Sequence, residues 1–348
     1  MSGRRIGFLW AAVSLAVGGC NCGAYHLLHS PDGGELTPDA GPECAATGTP
    51  LFNLGSVQAG AVMAPPLAVD SESLYFSINT QQPNQSTLMK MPLRGGTPVQ
   101  LGTDPSGRTI FPFSLTSSLA VYAAGSEVMG IPRAGGSALT LTTGTGDIVG
   151  LVTDADVFYF SDDQGTHAQP LDGGASQLLT THTGRLTLNG GTLFVVENVA
   201  GTLSQFQLWS VPTAGGQAAQ QTQISNFVLA MTACGSGVCW IEGAAIQTNP
   251  PPALMRFEPG GAATTLENSL DFMEPLALVD DGADFFLTTG GGGAVSRVPA
   301  SGGTPFVIAQ GGGGMAVDDQ CLFWSDLQGI HVVRKGCDAG DCAGPPPH

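Results

Sequence analysis

The chain has 348 residues and a net charge of −17, with 28 acidic residues against 11 Lys and Arg. A surface so poor in cations excludes nucleic acid as a partner, because phosphate binding needs clustered Lys and Arg, and it disfavours adsorption to anionic membranes. With 51 Gly and 24 Pro, the many short apolar runs read as short strands joined by tight turns.

The first segment, residues 1–19, reads as an export signal. Arg4 and Arg5 precede an apolar run from Ile6 to Val17, which is too short to span a membrane and right for a signal-peptide core. Its removal takes the charge from −17 to −19. The run ends in Val17-Gly18-Gly19-Cys20. Small residues before a Cys at this place resemble the lipobox of bacterial lipoproteins. By that resemblance Cys20 is diacylated and becomes the new N-terminus, and the acyl chains anchor the protein to a membrane. Asn21 in place of Asp points by the same resemblance to the outer membrane or cell surface. A secretory signal with a coincidental Cys is the alternative. Residues 20–47 are polar and Gly/Pro/Asp-rich, as a flexible tether would be.

The body, residues 48–337, is repetitive. Each unit is an apolar run, a polar turn, an aromatic-rich run, a variable loop, an apolar-Pro-x-x-Gly-Gly hairpin and a last short strand. Units begin at Leu67, Leu115, Leu151, Leu186, Leu229, Leu276 and Met315. The spacings are 48, 36, 35, 43, 47 and 39 residues. That period fits a four-stranded propeller blade, with strands A to D. The Gly-Gly pairs suit the C–D hairpin, where positive φ is needed. The expected fold class is all-β, a seven-bladed β-propeller, with six blades as the alternative. The seventh unit stops after strand C, near Gly336. Its missing strand is expected at the other end of the chain, because Thr49-Pro50-Leu51-Phe52-Asn53-Leu54 matches Thr97-Pro98-Val99-Gln100-Leu101-Gly102, strand D of the first unit. The N-terminal strand then closes the last blade and removes a sheet edge. Residues 338–348 form a Pro/Gly-rich tail.

Tyr159-Phe160-Ser161-Asp162 and Phe323-Trp324-Ser325-Asp326 occupy strand B of two units. On these residues the body resembles the YWTD-type repeats of lipoprotein receptors and NHL-like repeats of secreted bacterial proteins. The resemblance implies the propeller fold. It implies little about function, and other units depart from it, as at Phe76-Ser77-Ile78 and Phe286-Leu287-Thr288.

With Cys20 lipidated, seven Cys remain, and export favours their oxidation. Cys234 and Cys239 flank an A–B turn and are expected to bridge it. Cys44, Cys321, Cys337 and Cys342 gather at the last blade. Three pairings are open, with Cys321–Cys337 and Cys44–Cys342 preferred, and Cys22 is left over. No Cys-x-x-Cys pair suggests a metal site.

The signatures of common enzymes are missing: no Gly-x-Ser-x-Gly, no His-Glu-x-x-His, no P-loop, no dinucleotide fingerprint. One pattern recurs: Ser-Asp-x-Gln-Gly-x-His at Ser161–His167 and Ser325–His331. It reads as a shared B–C turn, and alternatively as a polar ligand site on one face. Acidic residues also cluster at the A–B turns: Asp154, Asp156, Asp280, Asp281, Asp284, Asp318 and Asp319. Turn formation accounts for them. Calcium is the sharper alternative, since several oxygens on one face suit it. No cofactor or metal is expected otherwise. The expected function is a surface-anchored, non-catalytic propeller that binds a protein, glycan or small ligand on its ring face, with Asn79–Thr87 and Gln247–Pro252 as contact loops. The alternatives are a purely structural role at the envelope and a hydrolase or lyase with a metal in the central channel. The enzyme needs several ligands at the starts of the A strands, which read LAVD, LTSS, LVTD, LTLN, LAMT, LALV and MAVD.

Overall fold

The computed structural model describes residues 50–54, 62–81, 84–110, 112–202, 204–243, 251–270, 275–289 and 293–335. All belong to one compact unit, Pro42–His348. The signal segment, Cys20, Cys22, Cys44, Cys337, Cys342 and the tail lie outside the described residues. No helix among the described residues is long and apolar enough to cross a membrane.

Among the described residues, twenty-eight strands form seven four-stranded antiparallel sheets. Strand β1 (Phe52–Asn53) comes first. Blade 1 is β2 (Val62–Val69), β3 (Ser73–Gln81), β4 (Asn84–Pro92) and β5 (Val99–Thr103). Blade 2 is β6 (Phe113–Leu115), β7 (Leu119–Ala124), β8 (Glu127–Pro132) and β9 (Leu139–Thr143). Blade 3 is β10 (Gly150–Thr153), β11 (Val157–Asp162), β12 (Gly165–Pro170) and β13 (Gln177–Thr180). Blade 4 is β14 (Arg185–Asn189), β15 (Thr192–Asn198), β16 (Phe206–Pro212) and β17 (Ala219–Ile224). Blade 5 is β18 (Phe227–Cys234), β19 (Gly237–Gly243), β20 (Ala253–Phe257) and β21 (Thr264–Glu267). Blade 6 is β22 (Pro275–Asp280), β23 (Asp284–Thr289), β24 (Ala294–Pro299) and β25 (Phe306–Gln310). Blade 7 has β26 (Met315–Val317), β27 (Cys321–Ser325) and β28 (Gly329–Arg334). Its fourth strand is β1.

The first strand of each sheet lies beside the first strands of the two neighbouring sheets, and β26 lies beside β2. The seven blades therefore form a closed ring, with the A strands around the axis. Two faces result. One carries the A–B and C–D hairpins, the other the B–C turns and D–A links. The chemistry of the hairpins follows the repeat. The turn between β8 and β9 places Gly135 at φ +91° and Gly136 at φ +148°, where a side chain would be strained. The Gly136 amide then donates to Leu101 O of blade 1 at 2.9 Å, so a turn inside one blade also joins it to the next.

The core sits between blades. The B strands are buried on both faces, which is why they read as nearly continuous apolar runs rather than strict alternations. One apolar cluster fills each junction. Phe158 and Phe160 of blade 3 pack on Val121 and Val128 of blade 2, and Phe194 and Leu208 of blade 4 on Trp240 and Phe257 of blade 5. A register shift recurs between strands C and D in blades 1 to 6, as at Leu88/Met89 and Val295/Ser296. Such bulges add twist at the outer strand.

Two sequence expectations change. The A strand of blade 1 starts at Val62 rather than Leu67, with a register shift between Ala64 and Ala68. Pro65 and Pro66 lie in that interval; they lack the ladder donor, so the strand bulges instead of ending. Asn79–Thr87 is not an irregular contact loop. β3 runs on to Gln81 and pairs with Asn84 at the start of β4. A ladder needs only backbone partners, so it continues beyond the apolar core through polar residues. Of the other expected loop, Gln247–Pro252, only Pro251 and Pro252 are described.

Closure rests on β1. Phe52 pairs with Ile330 and Asn53 with Gly329, and the Leu54 amide donates to Gln328 O at 2.7 Å. Phe52 is 7% exposed, and its ring lies 5.4 Å from that of Phe76 in blade 1. Phe52→Ala should therefore cost about 3–5 kcal/mol of stability, as for other buried Phe truncations. A denaturation midpoint equal to that of the unmodified protein contradicts this closure.

Candidate ligand-binding face

The recurrent Ser-Asp-x-Gln-Gly-x-His segments do form B–C turns on one face. In blade 3, Asp162 Oδ1 accepts the Gln164 amide at 2.9 Å. In blade 7, Asp326 Oδ1 accepts the amides of Gln328 at 2.7 Å and Gly329 at 3.0 Å. The glycine has a different job. A Cβ on Gly165 would lie 2.1 Å from Thr180 O, and one on Gly329 would lie 1.8 Å from Phe52 O. Only glycine lets the outer strand dock there. His167 then stacks on Phe160, with centroids 4.8 Å apart, and His331 on Trp324 at 5.2 Å. Each imidazole Nε2 meets the turn carboxylate, at 3.0 Å for His167–Asp162 and 2.9 Å for His331–Asp326. The second contact lies off the line of a hydrogen bond, so it is electrostatic.

The serines tie blades to their links. Ser161 Oγ accepts the Gly184 amide at 2.9 Å, in the link to blade 4. Ser325 Oγ accepts the Gly314 amide at 3.0 Å. Asp162 adds a contact to the link from blade 2, accepting from Thr145 N at 2.9 Å and Thr145 Oγ1 at 3.2 Å. Asp162 is 2% exposed. Burial pushes its carboxyl up, but the amides of Thr145 and Gln164 and the His167 ring outweigh this and hold it below the usual range.

A second group on this face has no counterpart in the sequence reading. His182, in the link to blade 4, stacks on Trp209 with centroids 3.5 Å apart. Its Nδ1 lies 2.8 Å from Glu197 Oε2. Arg185 opens the innermost strand of the same blade and is exposed. Between blades 1 and 2, Asp104 Oδ1 accepts the amides of Ser106 at 2.9 Å and Arg108 at 3.0 Å. Its Oδ2 accepts from Tyr122 OH at 2.9 Å. Arg108 pairs with Glu127 at 2.6 Å.

The acidic A–B turns lie on the opposite face, and the carboxylates of Asp154, Asp280, Asp281 and Asp318 hold turn amides. Asp318 Oδ1 accepts the amides of Gln320 at 2.7 Å and Cys321 at 2.6 Å. Asp281 does the same for Ala283 and Asp284, at 2.9 and 2.8 Å, and Asp280 and Asp154 each take one amide. Two of these turns also receive a cation from the next blade. Arg133 of blade 2 reaches Asp70 and Tyr75 of blade 1, and Lys335 of blade 7 reaches Asp281 of blade 6 at 3.1 Å. A groove of about 440 Å³ runs between the A–B turns of blades 7 and 1, lined by Val69, Asp70, Leu93, Val317, Asp318 and Gln320. Among the described residues no three His, Cys, Asp or Glu side chains come together as a metal site.

Cys234 and Cys239 form a disulfide across the A–B turn of blade 5, with Cα atoms 5.7 Å apart. Cys321 is also disulfide-bonded, and its partner lies outside the described residues.

The sign of the acid response follows from the carboxylates. Asp104, Asp162 and Asp281 all titrate below the usual range; in each, burial acts upward and is outweighed by hydrogen bonds. Such groups stabilise the fold above the unfolded carboxylate value, about 4, and lose that contribution as the pH falls below it. Asp280 and Asp284, raised chiefly by burial, act in the opposite sense and cost stability at neutral pH. Asp162→Ala should therefore lower the stability at pH 7 by roughly 1–3 kcal/mol. It should also flatten the drop in Tm between roughly pH 4 and 2. An unchanged acid limb means that Asp162 does not couple blades 2 and 3.

No family model and no curated protein matches the chain. Solved structures do. A catalytically inactive virginiamycin B lyase of Staphylococcus aureus with quinupristin has a TM-score of 0.61 at 14% identity, covering 81% of this chain and 96% of its own. The β-propeller domain of the trilobed protease from Pyrococcus furiosus has a TM-score of 0.54 at 10% identity, over 84% and 98%. A GH74 enzyme of Niastella koreensis has a TM-score of 0.54 at 12% identity, over 76% of this chain and only 51% of that one. At such identities the likeness is one of fold, and the fold is a seven-bladed β-propeller.

Proposed function

We propose that the chain is an envelope-anchored, non-catalytic propeller that binds a protein, glycan or small ligand on the face of its B–C turns and D–A links. The observation that carries this reading is how the polar residues of that face are used. Asp162, Asp326, Ser161 and Ser325 turn inward to hold turns and links. They stiffen the face rather than form a reaction centre, and rigid strands presenting loops suit recognition. Outward, the face presents Leu327 at the tip of the blade 7 turn, 80% exposed, and Val149 in the link to blade 3, 53% exposed.

The anchor in this reading is the lipid on Cys20, which places the protein at the outer membrane or cell surface. Kinship with YWTD- and NHL-like repeats rests on the two Ser-Asp turns. Pairing of Cys321 with Cys337 and of Cys44 with Cys342 would fasten the closing strand. No cofactor is assigned; calcium at the A–B turns would have to compete with the backbone amides those carboxylates already accept.

Two experiments test the proposal. Cys20→Ala should move the protein from the membrane to the soluble envelope fraction; continued membrane fractionation argues against the anchor. A photo-crosslinking residue at position 327 should capture one defined envelope component in cells, and the same residue at position 282, on the A–B face, should not. Equal capture from both faces, or none from 327, rules out the B–C face as the binding face.

A further inference from the structure

Arg185 is a cation of the B–C face with no carboxylate paired to it among the described residues. It is the first residue of β14, the innermost strand of blade 4. Along this strand the side chains alternate. Leu186 and Leu188 enter the apolar cluster shared with Tyr159 of blade 3. Arg185 and Asn189 take the other side, toward blade 5, and both reach it. Asn189 Nδ2 donates to Gly237 O at 2.7 Å, and Arg185 Nη1 donates to Leu229 O at 3.1 Å. As the opening residue of an innermost strand, Arg185 stands at the inner rim of the ring, where the D–A link of blade 4 enters.

A guanidinium carries five N–H donors, and its Nε–Nη2 edge matches the two oxygens of an oxyanion. The bond to Leu229 leaves that edge open. Three other cations are ion-paired: Arg108 with Glu127, Arg133 with Asp70, Lys335 with Asp281. Arg185 has no such partner among the described residues. The nearest acid along the hairpin is Glu197, one residue past Val196, the register partner of Arg185. It is turned to His182 Nδ1 at 2.8 Å and to the Thr183 amide at 3.4 Å. Burial holds the guanidinium below its ordinary value, and no neighbouring carboxylate offsets this. In a chain of net charge −17, a cation shielded from carboxylates is a local site where an anion gains rather than loses.

We propose that Arg185 is the anion-binding residue of the ring: the inner rim between blades 4 and 5 takes the carboxylate or phosphate group of a small ligand on the open Nε–Nη2 edge. This rests on the reading of the B–C face as the binding face and names the ligand chemistry at its centre.

The test is calorimetric titration of the full chain in detergent with sodium citrate and with sodium phosphate, against sodium chloride at matched ionic strength. Citrate, phosphate or both should bind the unmodified protein, and Arg185→Gln should weaken that binding by about tenfold or more. Binding of citrate alone assigns a carboxylate ligand, and of phosphate alone a phosphorylated one. Arg185→Lys, which keeps the charge and loses the fork, should bind with intermediate affinity and covers the case of a misfolded Gln variant. Equal binding by Arg185→Gln overturns the proposal, as does no oxyanion binding by the unmodified protein up to about 10 mM, an affinity too weak for a specific site. Either failure with position 327 still capturing its partner removes the anion site alone; loss of both removes the binding face as well.

Discussion

Every blade of this protein is a sheet with two apolar faces, and that constraint governs the rest. A sheet buried on both sides needs a neighbour on each side, and a row of sheets satisfies this at its ends only by closing. The described residues show one apolar cluster at each junction around the ring. The junction of blades 7 and 1 is where the first described strand, β1, pairs with the last, β28. There Phe52, Leu54, Leu74 and Phe76 pack with Phe323, Ile330 and Val332. The burial of such side chains contributes roughly 1.5–3 kcal/mol each. Phe52 and Leu54 thus help close a ring whose other sheets are each built from consecutive strands.

Closure also explains the polar chemistry. With the apolar side chains committed to junctions, Asp, Ser, Thr and His are left to the turns, where backbone amides lack ladder partners. The same device appears on both faces with different consequences. On the A–B face, Asp318 and Asp281 hold turns, and cations from the next blade reach Asp70 and Asp281. On the B–C face, Asp162 holds its own turn and the link from blade 2 together. The repeated Gly165 and Gly329 are where an outer strand comes closest, so the recurrent segment is at once a turn and a docking point.

Much of this was legible in the residues. The seven A strands, the Gly-Gly hairpins and the displaced D strand all have local signals, because turn glycines and apolar runs repeat with the blades. What stayed hidden depends on partners distant in sequence. Nothing in Thr181-His182-Thr183 announces that its imidazole lies between Trp209 and Glu197. Asp104 looks like any loop acid until Tyr122 and the Ser106 amide meet it. Arg185 was missed for a simpler reason. Reading the fourth A strand as LTLN starts at Leu186, one residue inside the observed strand, and so discards the residue at the rim. Asn79–Thr87 misleads in the reverse direction, since polar composition suggests a loop where the ladder runs on.

The most direct test of closure is native-state hydrogen exchange at the Leu54 amide, which donates to Gln328 O. If β1 is the fourth strand of blade 7, this amide opens only with the ring. Its opening free energy should then equal that of amides in β15, a central strand of blade 4. Exchange at the rate of an unprotected terminal segment, with β15 still protected, would contradict closure by the N-terminal strand.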